Sequence, residues 1–306
     1  MRSSKIHRVN WIGDFHKMKG LPSPQHPLIS MFDYGSFNCS TEINHKNFVF
    51  DFYHISIKRS IGAKYKYGQS HYDFDDGVMF FIAPNQVFGI EAIEEIATSK
   101  SGWVLMIHPD FLWNTSLAKN IKRYEFFDYA VNEALFLSEK EEATLNTIVK
   151  NIEQEYQGNI DKFSQNIIVS QIETLLNYSD RFYQRQFITR KAGNHKILSE
   201  FEKILSQYFD DPGLADKGLP TVTYIADLLN VSPTYLSSLL KSLTGQSTQQ
   251  QIHEKLIAKA KERLSTTNLS ISEIAYELGF EHSQSFSKLF KSKTNFSPVE
   301  FRASFN

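Results

Sequence analysis

The chain has one cysteine in 306 residues, Cys39, so it can form no intrachain disulfide and no cysteine-built zinc site. A reducing compartment fits that usage, and Cys39 reads as a small buried or neutral residue. No apolar run approaches the ~18 residues that a membrane helix needs, and the opening MRSSKIHRVN lacks the apolar core of a signal peptide. Together these absences predict a cytoplasmic protein with no membrane partner. No His-x-His pair occurs, and His54 and His71 stand apart, so the residues predict no metal site, no cofactor and no catalytic group. Charge of one sign is lacking as well: 33 basic residues face 34 acidic ones, for a net charge of −1. That excludes a polycation that coats nucleic acid by charge alone. The segment from Leu219 to Asn306 carries +2 and residues 1–218 carry −3, an asymmetry too mild to decide function without motifs.

What is present divides into a β-rich half and a helical half. From about Phe48 to Pro109 the chain reads as short strands. Phe48 to Lys58 is aromatic and β-branched with partial alternation, and Gly62, Gly68, Asp75-Asp76-Gly77, Pro84-Asn85 and Gly102 punctuate the stretch as turns would in a sandwich or small barrel. Val78–Ala83 and Trp103–Ile107 are unbroken apolar runs, the pattern of strands buried on both faces. After Pro109 the period becomes helical. Ser138 and Glu141 have capping-box spacing, followed by Leu145, Ile148, Val149, Ile152 and Tyr156. Ile168, Ile172, Leu175 and Leu176 mark a second amphipathic helix. These two helices suit packing on the β-rich part or contact with a second copy. Arg185–His195 reads as a polar, basic connector. The expected organisation is thus a β-rich domain over 1–135, a helical packing or dimerisation segment over 136–184, a linker over 185–195 and a helical domain over 196–306.

The last 90 residues hold an internal repeat. Thr221–Val231 followed by Ser232–Gly245 is echoed by Ser270–Phe280 followed by Ser283–Asn295. Ile225-Ala226 matches Ile274-Ala275 at an offset of 49; beyond the turn the offset is 50, pairing Leu236 with Phe286, Leu239 with Leu289, Leu240 with Phe290, Lys241 with Lys291 and Thr244 with Thr294. Each copy has the parts of a helix-turn-helix: a short helix whose alanine allows a close crossing, a tight turn, and a second helix with a start signal. Ser232 with Pro233 supplies that signal in the first copy. In the second, Ser270 and Glu273 predict a capping box and Ser283 a cap for the following helix. Leu236, Leu239, Leu240 and Leu243 are the expected buried positions of the first reading helix, leaving a small, polar opposite face. Between the copies, Gln249–Leu264 has no Gly or Pro. As a helix it spans ~24 Å, which allows the two reading helices to sit about one duplex turn apart, roughly 34–36 Å.

In this pairing, with Ile274–Phe280, Phe286–Lys291 and Ser297–Arg302 as they stand, the chain from Ile197 to Phe305 resembles the AraC/XylS family of transcription regulators. The resemblance implies a multi-domain α+β protein: an N-terminal cupin-like β-barrel with following helices, then an all-α domain with two helix-turn-helix units joined by a linker helix. It also implies double-stranded promoter or operator DNA as partner, a homodimer, an activator's contact with RNA polymerase and a small-molecule effector. Lys255 and Thr248 depart from the family pattern, where arginine and proline are common. Carried over position by position, base-edge contacts fall on Thr234, Ser237 and Ser238 in the first unit and on Ser283, Gln284, Ser287 and Lys288 in the second. Gln284 suits adenine and Lys288 guanine, so the second unit is expected to carry more base specificity. Lys241 and Lys291 fall to phosphates. For Ser238 and Ser283 a capping or solubilising role stands beside the base-reading one.

The β-rich part offers Tyr53, Lys58, His71, Tyr72 and Trp103 as lining for an effector pocket, each of which also reads singly as a core or surface residue. Two other readings remain. A metal-dependent cupin enzyme with a DNA-binding appendage requires clustered ligands, and DNA repair by alkyl transfer requires nucleophilic cysteines beyond Cys39.

Overall fold

The computed structural model describes residues 6–36, 47–67, 70–89, 91–92, 99–130, 133–158, 163–189, 191–211 and 213–304. Cys39 lies outside them. The chain divides into two compact units, Met1–Gln186 and Phe187–Asn306. Among the described residues no helix is long and apolar enough to cross a membrane.

The first unit is built on two sheets. The smaller pairs β1 (Ile6–Val9), β3 (Asn47–Phe50) and β6 (Val87–Gly89). The larger runs β2 (Ile29–Asp33), β8 (Ser99–Ile107), β4 (Tyr53–Tyr67), β5 (Ser70–Ile82) and β9 (Leu135–Phe136), with β7 (Glu91–Ala92) on β4. No closed barrel forms among the described residues, and the coarser expectation of a mixed α and β chain with a helical C-terminal part is what stands. The apolar runs explain the centre of the larger sheet: Val78–Ile82 and Trp103–Ile107 are buried at every position, because β5 lies between β4 and β9 and β8 between β2 and β4. Pairing of Ile57 with Trp103 and Ile55 with Leu105 puts the odd positions of β4 on one face. The helices α3 (Glu139–Gln157) and α4 (Ser164–Thr189) cover that face, through Trp103 Nε1 donating to Asn146 at 2.9 Å and Ser179 meeting Met79. Even positions face the other way, into a cluster that includes Phe50, Phe52, Phe88, Val104 and Met106. Helix α1 (Ile12–Lys19) closes that cluster with Ile12 and Phe15, and α2 (Ser116–Asn120) lies in the turns after β8.

Gly62 and Asp75-Asp76-Gly77 do not end strands as expected. They lie inside β4 and β5, whose register shifts between Lys58 and Ser60 and again between Ser60 and Lys64. Extra residues in one strand of an antiparallel pair bulge outward while the ladder continues, so turn-type residues mark irregularities in a long hairpin here. Pro84-Asn85 does turn, with Asn85 at φ +66°. Gly102 is required by close approach: at φ +126°, an added Cβ would fall 2.1 Å from the Ile57 carbonyl oxygen. The capping box of α3 is present in both directions.

The stretch read as a connector is helical on both sides of residue 190, in α4 and in α5 (Lys191–Phe209). It contains no proline, and its one glycine leaves helical backbone open to every other residue.

The second unit continues with α6 (Leu214–Lys217), α7 (Val222–Leu228), α8 (Pro233–Thr244), α9 (Thr248–Thr266), α10 (Ile271–Glu277), α11 (Ser283–Thr294) and α12 (Pro298–Ala303). The repeat extends further than the two helix pairs. Ser247 and Gln250 cap α9 as Ser297 and Glu300 cap α12, so three consecutive helices recur. Both turns use left-handed backbone at matching places, Asn230 at φ +55° and Gly279 at +83°, then Gly245 at +78° and Asn295 at +64°. One core serves both copies: Ile225, Ala226, Leu236 and Leu240 join Ile274, Ala275, Phe286 and Phe290 around Ile252, Leu256, Ala260 and Leu264 of α9. Burying each large side chain contributes ~1.5–3 kcal/mol. Leu243 is only half-buried, at the edge of this core.

Candidate nucleic-acid interface

Helices α8 and α11 occupy equivalent positions in the two copies, each preceded by a short helix that crosses it at a buried alanine, Ala226 or Ala275. Helix α8 starts as its sequence dictates: Ser232 Oγ accepts from Tyr235 N–H at 3.2 Å, and Pro233 takes the first helical position. Helix α11 starts differently. His282, not Ser283, occupies the capping position and makes no side-chain cap bond, and Ser283 is the first helical residue. The offset of 50 beyond the turn pairs Ser232 with His282, and the residue inserted in the second turn displaces Ser283 from the cap.

Helix α9 holds the copies together. It starts one residue before and ends two after the expected Gln249–Leu264 run. Lys255 Nζ donates to Ser206 Oγ at 3.1 Å, and Lys259 pairs with Asp210 at 2.8 Å, fixing α9 to α5. Arg302 Nε on α12 donates to the Leu264 carbonyl at 3.3 Å. The position of Lys255, where the family pattern favours arginine, is thus tied to the α5 helix.

The outward faces of α8 and α11 differ. On α11, Gln284, Lys288 and Lys291 are exposed at spacings of four and three, one helical face, with Ser283 and Ser287 half-buried at its margin. That helix carries three lysines and no acidic residue. On α8 only Lys241 is fully exposed among the expected contacts. Thr234 is half-buried, and Ser237 Oγ shares a hydrogen bond with Thr248 Oγ1 at 3.1 Å. Ser238 is buried and donates to the Thr234 carbonyl at 3.0 Å, so its hydroxyl is turned inward, in contrast to the base-edge role expected of it. Beside it Tyr235 is buried against Phe187, the rings 5.3 Å apart and edge-on, and Asn194 Nδ2 donates to the Phe187 carbonyl at 2.7 Å. Ser285, the counterpart of Tyr235, is exposed. Ser285 and His282 were missed from the sequence; aligning the copies residue by residue through the cap would have pointed to both.

In the first unit the three effector candidates whose side chains are described, Tyr53, Lys58 and Trp103, fall on two faces of the larger sheet. Tyr53 and Trp103 lie on the odd face of the larger sheet. Tyr53 packs on Phe127 with ring centres 5.0 Å apart and has its hydroxyl pKa raised by burial, then by Asp128. Lys58 projects from the even face over the rings of Tyr34 and Phe80. The side chains of His71 and Tyr72 lie outside the described residues. The even face also carries His54 and Ser56, both buried, whose Nδ1 and Oγ have no hydrogen-bond partner among the described residues. Burial, and then the charge of Lys58, pushes the His54 imidazole down to about 3. Among the described residues no three His, Cys, Asp or Glu side chains gather as a metal would require.

The helix-turn-helix domain family matches residues 225–304. The chain is 31% identical over 144 residues to the uncharacterised HTH-type transcriptional regulator YfiF of Bacillus subtilis, covering 47% of this chain and 42% of that protein. It is 36% identical over 128 residues to the arabinose operon regulatory protein of Escherichia coli, covering 42% and 43%. The C-terminal domain of the two-component response regulator YesN from Fusobacterium nucleatum is 29% identical, over 34% of this chain and 95% of that one, with a TM-score of 0.31. The chain thus spans less than half the length of these two curated relatives.

Proposed function

We propose that this chain, whose C-terminal part matches a helix-turn-helix domain and aligns with AraC-type regulators, is a DNA-binding transcription regulator of the AraC/XylS type, that α8 and α11 enter successive major grooves of a promoter, and that the first unit modulates their occupancy. The observation that carries the DNA-binding mode is the paired unit itself: two helix pairs on one core, joined by an unbroken 19-residue helix. At ~1.5 Å per residue, that helix is ~28 Å long, a length suited to neighbouring grooves.

Base reading falls mainly to α11, through Gln284 and Lys288, with Ser283 and Ser287 beside them, and phosphate contact to Lys291 and Lys241. The first unit's two sheets are assigned the sensing of a small effector, and its helices α3 and α4 a homodimer contact. His54 Nδ1 and Ser56 Oγ, without partners among the described residues, favour the sensing role, since buried polar atoms without partners lose ~1–3 kcal/mol each unless something meets them.

Binding titrations with pure protein and a promoter selected from random DNA test this. Lys288→Ala should cost ~1–3 kcal/mol on the selected site and relax its sequence preference, while Lys241→Ala should weaken all duplexes alike and lower the salt slope by about one. Unchanged binding in both variants overturns the assignment.

A further inference from the structure

In the first unit a cavity of about 230 Å³ opens between the residues before β2, the turn at Pro109–Leu112, the end of α3 and the start of α4. It is smaller than the ~300–1,000 Å³ of sites for drug-sized ligands. Phe111 and Ile168, both buried, supply an apolar wall. The polar groups around that wall have bonding capacity left over. Tyr156 Oη accepts from Gln25 N–H at 2.8 Å, which leaves its own proton to give. His26 Nδ1 accepts from Leu28 N–H at 3.1 Å, which puts the proton of the neutral ring on Nε2, a second free donor. Gln165 spends its amide N–H on the Phe111 carbonyl at 2.7 Å, leaving its oxygen to accept. Asp110 is exposed at the rim. The imidazole of His108 stands 3.4 Å from it, and among the described residues no lysine or arginine lines the cavity.

Two donors within, a carboxylate and an amide oxygen to accept, and an apolar wall between make a specific demand. An anion alone meets Asp110 unfavourably, and a hydrocarbon leaves both donors unmet. The chemistry is satisfied by an ammonium at Asp110 and Gln165, a methylene chain along Phe111 and Ile168, and a carboxylate accepting from Tyr156 and His26. We propose that this cavity is a binding site for a short ω-amino acid, separate from the DNA contacts and from the interior of the β sheets.

Saturation-transfer NMR and thermal unfolding of the full chain test the assignment with three probes: 5-aminovalerate, valerate without the amine, and pentylamine without the acceptor. The expected result is binding of 5-aminovalerate at least ten-fold tighter than of either truncated probe. Asp110→Asn, an exposed substitution that keeps the fold, should remove most of that ten-fold preference over valerate. Equal affinity for 5-aminovalerate and valerate, no binding of any probe, or an Asp110→Asn protein with its preference intact overturns the proposal. DNA titrations run alongside keep the outcomes distinct, because failure here leaves promoter binding unaffected.

Discussion

A methyl group at Gly279 would land 2.9 Å from the carbonyl carbon of Gly218, and Gly279 itself sits at φ +83°. Neither backbone can yield cheaply, because Gly218 is also left-handed and its carbonyl accepts from Tyr208 Oη at 3.0 Å. Gly279→Ala should therefore destabilise the second unit by ~2 kcal/mol or more, of which ~1–2 is left-handed strain, read as a lowered midpoint in denaturant unfolding. Asn230 holds the equivalent place in the first copy at φ +55°, so Asn230→Gly should be tolerated with little loss. Much at this scale was legible in the sequence: the caps Ser138, Ser232 and Ser270 declare themselves by spacing. Ser238 was not. A serine at a groove-facing position looks the same in a sequence whether its hydroxyl points out or donates to the carbonyl four residues back, as it does to Thr234.

Helices α8 and α11 descend from one pattern yet present different surfaces. The contact of Phe187 with Tyr235 and the burial of Ser238 leave α8 with Lys241 as its fully exposed expected contact, whereas α11 shows Gln284, Lys288 and Lys291 together. With Cys39 replaced by alanine, a thiol introduced by Lys288→Cys should react with a soluble maleimide at least ten-fold faster than one introduced by Ser238→Cys. Similar rates would show that α8 is as open as α11. This difference had no sequence signal, because what covers α8 lies more than 40 residues upstream, in a stretch whose polar composition reads as a connector. The long hairpin of β4 and β5 was hidden for a related reason: glycine and aspartate mark turns and bulges equally, and only pairing across strands tells them apart.

Across the whole molecule the two units should respond differently to acid. His54 titrates near 6.5 when unfolded and near 3 when folded, so protons bind the unfolded chain preferentially between those values. Its contribution is present above pH 6.5 and is lost as pH falls toward 3, with a slope approaching ~1.4 kcal/mol per pH unit. Burial lowers His16 in the same unit in the same direction. In the second unit, His253 is lowered and contributes in this window too, by burial and then by Lys293, while Glu273 and Glu300 are lowered by bonds to the caps they complete, an effect lost only in the carboxylate range. Calorimetry from pH 7 to 5 should move the transition of the first unit downward more than that of the second, and His54→Leu should flatten the difference. The change from strand to helix near Pro109 and the helix repeat of the second unit were readable in the sequence. The face on which each strand residue lies was not, since aromatic residues fill both sides of the larger sheet.

One feature of the second unit sets a condition on its target. Helix α9 runs without a break from Thr248 to Thr266, pinned at Ser206, Asp210 and by Arg302, while Gly218 presses on Gly279. In the proposed two-groove mode these contacts set the gap between α8 and α11 as the arms of a calliper are set. One base pair inserted between the two half-sites swings the second by roughly 35° of duplex phase, so binding to such a site should fall toward that of a single groove contact.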